Sequence, residues 1–303
     1  MFVLGCAQGA LLPDDFSKPE IIKEIPNPSE AQSVQFFAFG DWGSASSDQI
    51  DVAKALASFC STDTCDFGLL LGDNFYDSGV TSVSDPQWQS KFEDIYSQPS
   101  LQVPFYAVLG NHDHNGNAQA EIDYSSQQDR WTMPGPRYRI RFPGAADSSP
   151  LLEIFIFDSG YGDALPQEEL DSLAADLDSS TAEWKILAMH HPIYSNGNEH
   201  GDTTAMDSTL IPVICNRVDV VLSGHDHLYS HLDDPNDGCR FQQWVVGTGG
   251  KSLYTAHADP RAIFSEDSSF GFASIKVQTD GVLISFHHTD QSIADSFLLT
   301  KQQ

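Results

Sequence analysis

The chain has 303 residues, of which 40% are hydrophobic and 11% aromatic, so it has enough apolar material for a large core. This composition excludes disordered and collagen-like classes, and no stretch reaches the ~18 uncharged apolar residues that a membrane-spanning helix needs. The 15 Lys and Arg residues face 43 Asp and Glu residues, a formal net charge of −28. Such acidity argues against nucleic acid or anionic lipid as a partner.

The same acidity restricts how the chain could act on an anionic substrate. Its overall field repels anions, and its few cationic side chains are scattered along the sequence. A multivalent metal ion can supply a strong local positive charge in such a background. If the substrate is an anion, the sequence therefore favours a metal site.

The N-terminal segment differs from the rest of the chain. Residues 1–12 are apolar, but no Lys or Arg precedes Lys18, so the positively charged region of an export signal is missing. Pro26 and Pro28 are typical of a linker. We interpret residues 1–30 as a remnant of an export signal plus a linker, and residues 31–303 as a single domain, which we expect to be monomeric.

The cysteines suggest an oxidising environment. The five cysteines are Cys6, Cys60, Cys65, Cys215 and Cys239. Because the number is odd, at least one of them stays unpaired within the chain. Sequence proximity predicts two local disulfides, Cys60–Cys65 and Cys215–Cys239, with Cys6 left over; buried free thiols are the alternative. We expect a secreted protein or one in another oxidising or acidic compartment, whether extracellular, periplasmic or lysosomal.

One unit recurs from residue 34 onward: a short apolar run, then a polar cluster. Such continuously apolar runs are typical of strands buried on both faces. The runs are 34–39, 67–71, 103–109, 184–189 and 218–222.

Other segments complete the fold prediction. Apolar residues at helical spacing predict helices over 49–59 and 166–177. Residues 241–246, 270–277 and 282–287 look like antiparallel strands, the last two joined by a hairpin turn at 279–281. The sequence therefore predicts an α/β fold in which mixed β-sheets pack as a sandwich with helices outside.

Each of the five runs ends in polar residues. Open α/β sheets bind ligands beyond the carboxyl ends of their strands, so we expect the five clusters to converge. The clusters are Gly40-Asp41, Gly72-Asp73-Asn74-Phe75-Tyr76, Gly110-Asn111-His112-Asp113-His114, His190-His191-Pro192 and Gly224-His225-Asp226-His227.

These clusters offer more ligands than one metal ion needs. The candidates are all oxygen or nitrogen donors: Asp41, Asp73, Tyr76, Asn111, His190, His225 and His227. They suit two ions that share a bridging carboxylate, for which Asp73 is the natural choice. A phenolate at Tyr76 is a hard anionic ligand that favours ferric iron over zinc. Two ions ~4 Å apart form the clamp used in phosphoryl displacement.

The order of these clusters resembles the calcineurin-like metallophosphoesterases. Tyr76, in the block Asp73-Asn74-Phe75-Tyr76, is similar to the tyrosine of purple acid phosphatases, in particular the small tartrate-resistant type. The resemblance covers residues 36–229. It implies that residues 31–303 form a metallophosphoesterase catalytic domain with an α/β/β/α sandwich, two packed mixed β-sheets flanked by helices.

The resemblance also implies metal ions and their ligands. A ferric ion would be bound by Asp41, Asp73, Tyr76 and His227. A divalent ion (Fe2+, Zn2+ or Mn2+) would be bound by Asp73, Asn111, His190 and His225. The family usually has Tyr after the ligand histidine that precedes Pro192; His191 stands there in this chain, so His190 is the favoured ligand and His191 the alternative.

Further residues receive catalytic and substrate-binding roles from the same resemblance. His112 would contact the phosphate and stabilise the transition state, and His200 would aid protonation of the leaving group. Asn111 and His114 are candidate substrate contacts. We also expect Asp113 and Asp226 to orient neighbouring histidines.

The implied activity is acid phosphatase activity. Phosphate monoesters of small molecules or of phosphoproteins would be hydrolysed by in-line attack of metal-bound hydroxide, with an optimum in mild acid. Two alternatives remain open: a metallophosphoesterase that acts on phosphodiesters or nucleotides, and an iron-binding or carrier protein with vestigial activity.

Overall fold

Two mixed β-sheets form the centre of the protein. The structure, a computed structural model, describes residues 21–22, 33–144, 149–234 and 238–301. The strands within those ranges are β1 (Ile21–Ile22), β2 (Ser33–Phe39), β3 (Phe67–Leu70), β4 (Phe105–Ala107), β5 (Trp131–Thr132), β6 (Tyr138–Phe142), β7 (Leu152–Ile156), β8 (Trp184–Ala188), β9 (Val220–Ser223), β10 (Tyr229–Leu232), β11 (Gln242–Val246), β12 (Ala262–Glu266), β13 (Gly271–Gln278), β14 (Gly281–His288) and β15 (Ile293–Leu299).

The strand order places the middle of the chain in one sheet and both flanking parts, β2–β5 and β13–β15, in the other. One sheet has eight strands in the order β1-β6-β7-β8-β9-β11-β10-β12, and the other has seven in the order β15-β14-β13-β2-β3-β4-β5. Strands β2, β3 and β4 are parallel neighbours, as are β7, β8 and β9. The carboxyl ends of each set therefore meet at one edge of their sheet.

Helices connect and cover the sheets. The α-helices in the described ranges are α1 (Ser47–Thr62), α2 (Asn111–His114), α3 (Ala118–Tyr124), α4 (Gln167–Ser179) and α5 (Thr204–Ile214). The Ser46 side chain caps α1 by accepting from the backbone N–H of Gln49, and Pro166 precedes the first turn of α4. A π-helix (Trp88–Glu93) and a 3-10 helix (Pro99–Leu101) lie between β3 and β4.

The apolar side chains form two cores. Alternate residues of the eight-stranded sheet face opposite ways: Ile154 and Ile186 face the other sheet, whereas Phe155 and Leu187 face the helices. Helices α4 and α5 cover this second face through a stripe of buried side chains that includes Leu170, Leu173, Leu177, Met206 and Leu210. This double burial explains why the strand sequences are continuously apolar.

The main elements agree with the sequence prediction. The five apolar runs each contain a parallel strand, although the run 103–109 forms a strand only over Phe105–Ala107. Strands β13 and β14 form the predicted hairpin, with Gln278 opposite Gly281. The expectation for 241–246 was only half right, because β11 pairs antiparallel with β10 but parallel with β9.

Both predicted disulfides are present, Cys60–Cys65 and Cys215–Cys239. Cys6 and most of the predicted N-terminal segment 1–30 lie outside the described residues, apart from Ile21–Ile22, whose backbone pairs with β6. No helix in the described ranges is long and apolar enough to cross a membrane.

Candidate metal centre

The predicted ligands come together where the carboxyl ends of the two sheets meet. Asp41, Asp73 and Asn111 follow β2, β3 and β4, whereas His190 and His225 follow β8 and β9. One ligand atom from each of Asp41, Asp73 and His190 lies within 4.8 Å of the other two, and all three residues are buried.

The Tyr76 hydroxyl lies close to Asp41, Asp73 and His227, the three other residues predicted to bind the ferric ion. Tyr76 Oη is 2.9 Å from Asp41 Oδ1, 2.8 Å from Asp73 Oδ2 and 3.2 Å from His227 Nε2. His227 Nε2 is also 3.3 Å from Asp41 Oδ1. One phenol hydrogen cannot satisfy two carboxylates and an imidazole lone pair, so the cluster is rich in lone pairs. A cation is the group that such a donor set fits.

The two oxygens of Asp73 face different neighbours. Oδ2 lies against Tyr76, whereas Oδ1 lies 3.4 Å from His190 Nε2. A carboxylate that divides its oxygens in this way can bridge two ions.

The neighbours of Asp73 leave polar atoms without partners. Neither His190 Nε2 nor Asn111 Oδ1 has a hydrogen bond within the described part of the chain, although both atoms are buried. Buried polar atoms are normally paired, so these two atoms fit ligands of a second cation.

Backbone carbonyls set the orientation of two histidines. His190 donates from Nδ1 to Leu71 O over 2.8 Å, and His227 donates from Nδ1 to Ser252 O over 2.6 Å. A carbonyl only accepts, so each bond uses the Nδ1 hydrogen and makes Nε2 the nitrogen that faces the carboxylates and that a cation would bind. His191 instead places Nδ1 2.8 Å from Ser159 Oγ, so His190 is the member of the pair that lies in the cluster.

An unusual backbone conformation orients the side chains of three candidate ligands. Asp41, Asp73 and His225 have positive φ angles of 59°, 49° and 71°. Such conformations cost about 1–3 kcal/mol each and persist where the surroundings hold them, commonly at functional sites. The His225 N–H donates to Asp41 Oδ2 over 2.8 Å, which joins the loops of the two sheets.

The charges within the cluster shift its pKa values. Burial, then the charges of Asp41 and Asp73, raises the pKa of Tyr76 well above 10. Burial opposes protonation of His190, but the charge and hydrogen bond of Asp73, together with Asp41 and the Leu71 carbonyl, outweigh it and raise the pKa of His190 to about 10. Without a bound cation, both groups therefore keep their protons, and metal binding must release them.

The remaining predicted residues surround this cluster. His112 donates from Nδ1 to Asp77 O over 2.7 Å, and its Nε2 lies 3.9 Å from Asp73 Oδ2. His114 is paired with Asp158 at 2.9 Å, and its role stays a prediction. His200 is exposed, with its ring 4.1 Å from that of His225.

The expectation that Asp113 and Asp226 orient histidines was wrong. Asp113 accepts from the backbone N–H groups of Asn74 and Gly110, and so fixes the loop that carries Asp73. Asp226 accepts from Ser195 Oγ and from the Gly201 N–H, and so fixes the loop that carries His200. Both carboxylates therefore fix loops of the site, whereas backbone carbonyls hold the imidazoles of His190 and His227.

Sequence reasoning missed several neighbours of the cluster. Tyr254 stacks on His227, with ring centroids 3.9 Å apart, and Lys91 and Lys251 both contact Tyr76. These residues come from segments without a recognisable motif, and only an unusual position of Lys in a very acidic chain could have drawn attention to them.

Comparison with known proteins agrees with this geometry. A family profile described as calcineurin-like phosphoesterase matches residues 34–229. The chain therefore belongs to the calcineurin-like phosphoesterases.

Individual relatives show to which group within this family the chain belongs. Purple acid phosphatase 3 of Arabidopsis thaliana is 31% identical over 289 residues, 88% of this chain and 78% of that protein. Tartrate-resistant acid phosphatase type 5 of Sus scrofa is 36% identical over 228 residues, 67% of this chain and 66% of that protein. Within the family, the chain belongs with the purple acid phosphatases, and the resemblance inferred from its motifs is confirmed.

A solved structure supports the fold. The Plasmodium protein GAP50, described as the anchor in the inner membrane complex, matches with a TM-score of 0.79 at 25% identity, over 89% of this chain and 90% of that one. The predicted α/β fold of two packed mixed sheets is confirmed.

Proposed function

We propose that the chain hydrolyses phosphate monoesters at a dinuclear metal centre. The observation that carries this proposal is the convergence of Asp41, Asp73, Tyr76, His190 and His227 at the meeting edges of the two sheets. Relatives named purple and tartrate-resistant acid phosphatases support the same reaction.

The donor chemistry supports an assignment of two ions. A ferric ion would be held by Asp41, Asp73, Tyr76 and His227, and a divalent iron, zinc or manganese ion by Asp73, Asn111, His190 and His225. The phenol favours ferric iron, and the divided carboxylate of Asp73 supports the bridge. When bound, the cations would activate coordinated water and neutralise phosphate oxygens, and ferric iron would do so even in mild acid.

The chain's own side chains bind and orient the substrate. His112 is about one-third exposed (32%), and its Nδ1 is held by the Asp77 carbonyl, so Nε2 is the nitrogen that would face a phosphate oxygen bound beside Asp73. Asn111 and His114, from the same short helix, are further candidate contacts.

A cleft beside the centre suits the leaving group. It has a volume of about 320 Å³ and is lined by His191, His200 and His225 together with Tyr161 and Glu199. His200 therefore lies where it could protonate the departing alkoxide oxygen.

The disulfides bear on the compartment in which the enzyme acts. The two disulfides support an oxidising compartment, whether extracellular, periplasmic or lysosomal. We expect residues 31–303 to act as one monomeric catalytic domain on small phosphate monoesters or phosphoproteins.

The visible spectrum of the purified protein, with elemental analysis, tests this assignment. Iron bound to Tyr76 gives a violet-pink charge-transfer band, and Tyr76→Phe should lose it. Parallel assays with a phosphate monoester and a phosphodiester separate acid phosphatase activity from the diesterase alternative. A colourless iron-loaded protein, or a preference for the diester, contradicts the proposal.

A non-catalytic role is the second candidate, and the likeness to the Plasmodium anchor protein favours it. A protein that only binds metal or anchors a complex has no need of His112 or His200, which lie outside the proposed ligand set. His112→Ala should abolish most turnover while metal content stays at the wild-type level. Absence of turnover in the metal-loaded wild type would favour the second candidate.

A further inference from the structure

Two lysines contact Tyr76, although the chain has 15 Lys and Arg against 43 Asp and Glu. Lys251 Nζ lies 4.6 Å from the centroid of the Tyr76 ring. Lys91 Nζ donates to the backbone carbonyl of Tyr76 and, over 2.6 Å, to Gln87 Oε1. Two cationic groups therefore contact one residue of a strongly acidic molecule, and Lys251 is the one that contacts its side chain.

The position of Lys251 is fixed at both ends. Its backbone N–H donates to Asp41 O over 2.9 Å, and its Nζ is 2.6 Å from Asp77 Oδ1. Among the described residues, Asp77 is the carboxylate that pairs with Lys251. The Asp77 side chain is 86% exposed, so water screens its charge more than it screens the charge held against the Tyr76 ring.

We propose that Lys251 is a positioning residue that stabilises Tyr76 as an electron-rich phenolate and thereby sets the energy of its charge-transfer band with iron. This inference rests on the proposed iron assignment. It concerns a residue outside the ligand set, which acts through the tyrosine ring.

The charges on the two sides of Tyr76 oppose each other. At the hydroxyl, Asp41 and Asp73 lie 2.9 and 2.8 Å away and disfavour a negative phenolate. Over the ring face, the Lys251 ammonium favours it, because a cation is attracted to a π system and more strongly to an anionic one. Lys251 therefore offsets part of the repulsion from the two carboxylates.

The direction of the spectral effect follows from the movement of charge. Light absorption in a phenolate-to-iron band moves electron density away from the ring. A cation over the ring stabilises the state before transfer more than the state after it, so the cation raises the transition energy. Loss of Lys251 should move the band to longer wavelength.

The experiment compares visible spectra of iron-loaded wild type and variants at constant pH and salt. Lys251→Met should shift the band to longer wavelength by about 10 nm, the displacement that a cation–π energy of ordinary size produces in visible light. Lys251→Arg, which keeps the charge, should restore the wild-type position. Lys54→Met, which removes an exposed lysine paired with Asp51, is the matched control.

A second variant keeps the test decisive if Lys251→Met does not fold. Lys251→Gln also removes the charge, keeps a polar side chain beside Asp77 and should shift the band in the same direction as Lys251→Met. An unshifted band in a violet Lys251→Met or Lys251→Gln protein overturns this inference alone. A wild type that binds iron without colour overturns the iron–tyrosine assignment and this inference with it.

Discussion

His190 donates from Nδ1 to the backbone carbonyl of Leu71, 2.8 Å away, across the junction of the two sheets. His190 follows β8 and Leu71 follows β3, so the bond joins the two halves of the candidate metal centre. Because Nδ1 is occupied, Nε2 is the nitrogen that faces Asp73. The packing of the sheets and the ligand geometry are thus set by the same contact.

Gly72→Ala should weaken metal binding through His190. The added Cβ would lie 2.6 Å from His190 Nδ1, in a backbone conformation with φ of +87°. Displacement of the imidazole should lower metal affinity about 10–100-fold, the range seen when a ligand loses its orienting partner. Metal content after dialysis against graded chelator measures the effect.

Gly238→Ala is the matched control for this substitution. Gly238 also has a left-handed φ, +71°, but nothing lies within 4 Å of an added Cβ. Both variants place alanine in a left-handed backbone conformation, but only Gly72→Ala displaces the proposed metal ligand His190. Equal metal retention in the two variants would show that the Leu71 contact does not govern the site.

Asp73→Asn should impair both metal positions together. The substitution replaces the carboxylate whose oxygens face Tyr76 and His190 separately. Loss of a residue that only orients a metal ligand typically costs ~10–100-fold in activity, and we expect a greater loss here. We also expect fewer than two metal ions per chain. Rates and elemental analysis measure these, with the exposed carboxylate variant Asp51→Asn as control. A wild-type rate in Asp73→Asn is incompatible with a bridging carboxylate.

Much of the fold could be predicted because the central strands carry a simple signal. A strand buried on both faces must be apolar throughout, and it ends where glycine and polar residues begin. Strand β6 lacks that signal, since Arg139 and Arg141 alternate with apolar residues and pair with the buried Glu153. Helix α5 was missed because Pro212 interrupts its pattern.

The candidate site could be predicted only as far as its strand-end motifs. Asp41 and Tyr76 stand in recognisable blocks, but the carbonyls of Leu71 and Ser252 carry no residue-type signal at all. Lys251 reaches Tyr76 from a loop 175 positions along the chain (251 − 76), an approach set by sheet packing. Such contacts require the assembled tertiary structure.

Glu121→Gln should leave stability nearly unchanged at pH 7. Burial, then the charge of Asp113, raises the pKa of Glu121 well above its usual value, which favours the neutral form of the side chain. Its Oε2 accepts from Asn74 Nδ2 over 3.1 Å, which a glutamine oxygen can reproduce. We expect a change within about 1 kcal/mol, and a loss of about 2 kcal/mol or more for Glu121→Ala.

Denaturant unfolding at pH 7 measures both Glu121 variants. The comparison matters for the site because Asn74 follows Asp73 and also donates to Val108 O over 2.8 Å. A large loss in Glu121→Gln would mean that the native group is ionised.

Removal of the two disulfides should have unequal effects. Cys215–Cys239 spans 24 positions and Cys60–Cys65 spans 5, so the first restricts the unfolded chain more. Loop-closure entropy gives about 3 kcal/mol for the longer loop and about 2 kcal/mol for the shorter one. Urea unfolding of the two double Cys→Ser variants measures the difference. A greater loss from the shorter loop would indicate that native contacts rather than chain entropy dominate.

His287→Gln should reduce the sensitivity of stability to acid. Burial, together with the nearby His288, lowers the pKa of His287 from 6.5 to about 4, and its ring stacks on Phe272. Between these two pKa values the unfolded chain binds the proton and the folded chain does not, so stability falls as pH falls from 6.5 to 4.

Comparison of wild type with His287→Gln isolates this contribution. Below pH 4 the native protein should have lost about 1–2 kcal/mol through this group, after allowance for partial exposure, and the variant should lack that loss. His257→Gln, at an exposed histidine, is the control for a neutral substitution. Free energies of unfolding measured from pH 7.5 to 4.5 should converge for wild type and His287→Gln as the pH falls. Parallel curves would show that His287 takes up its proton equally in the folded and unfolded chain.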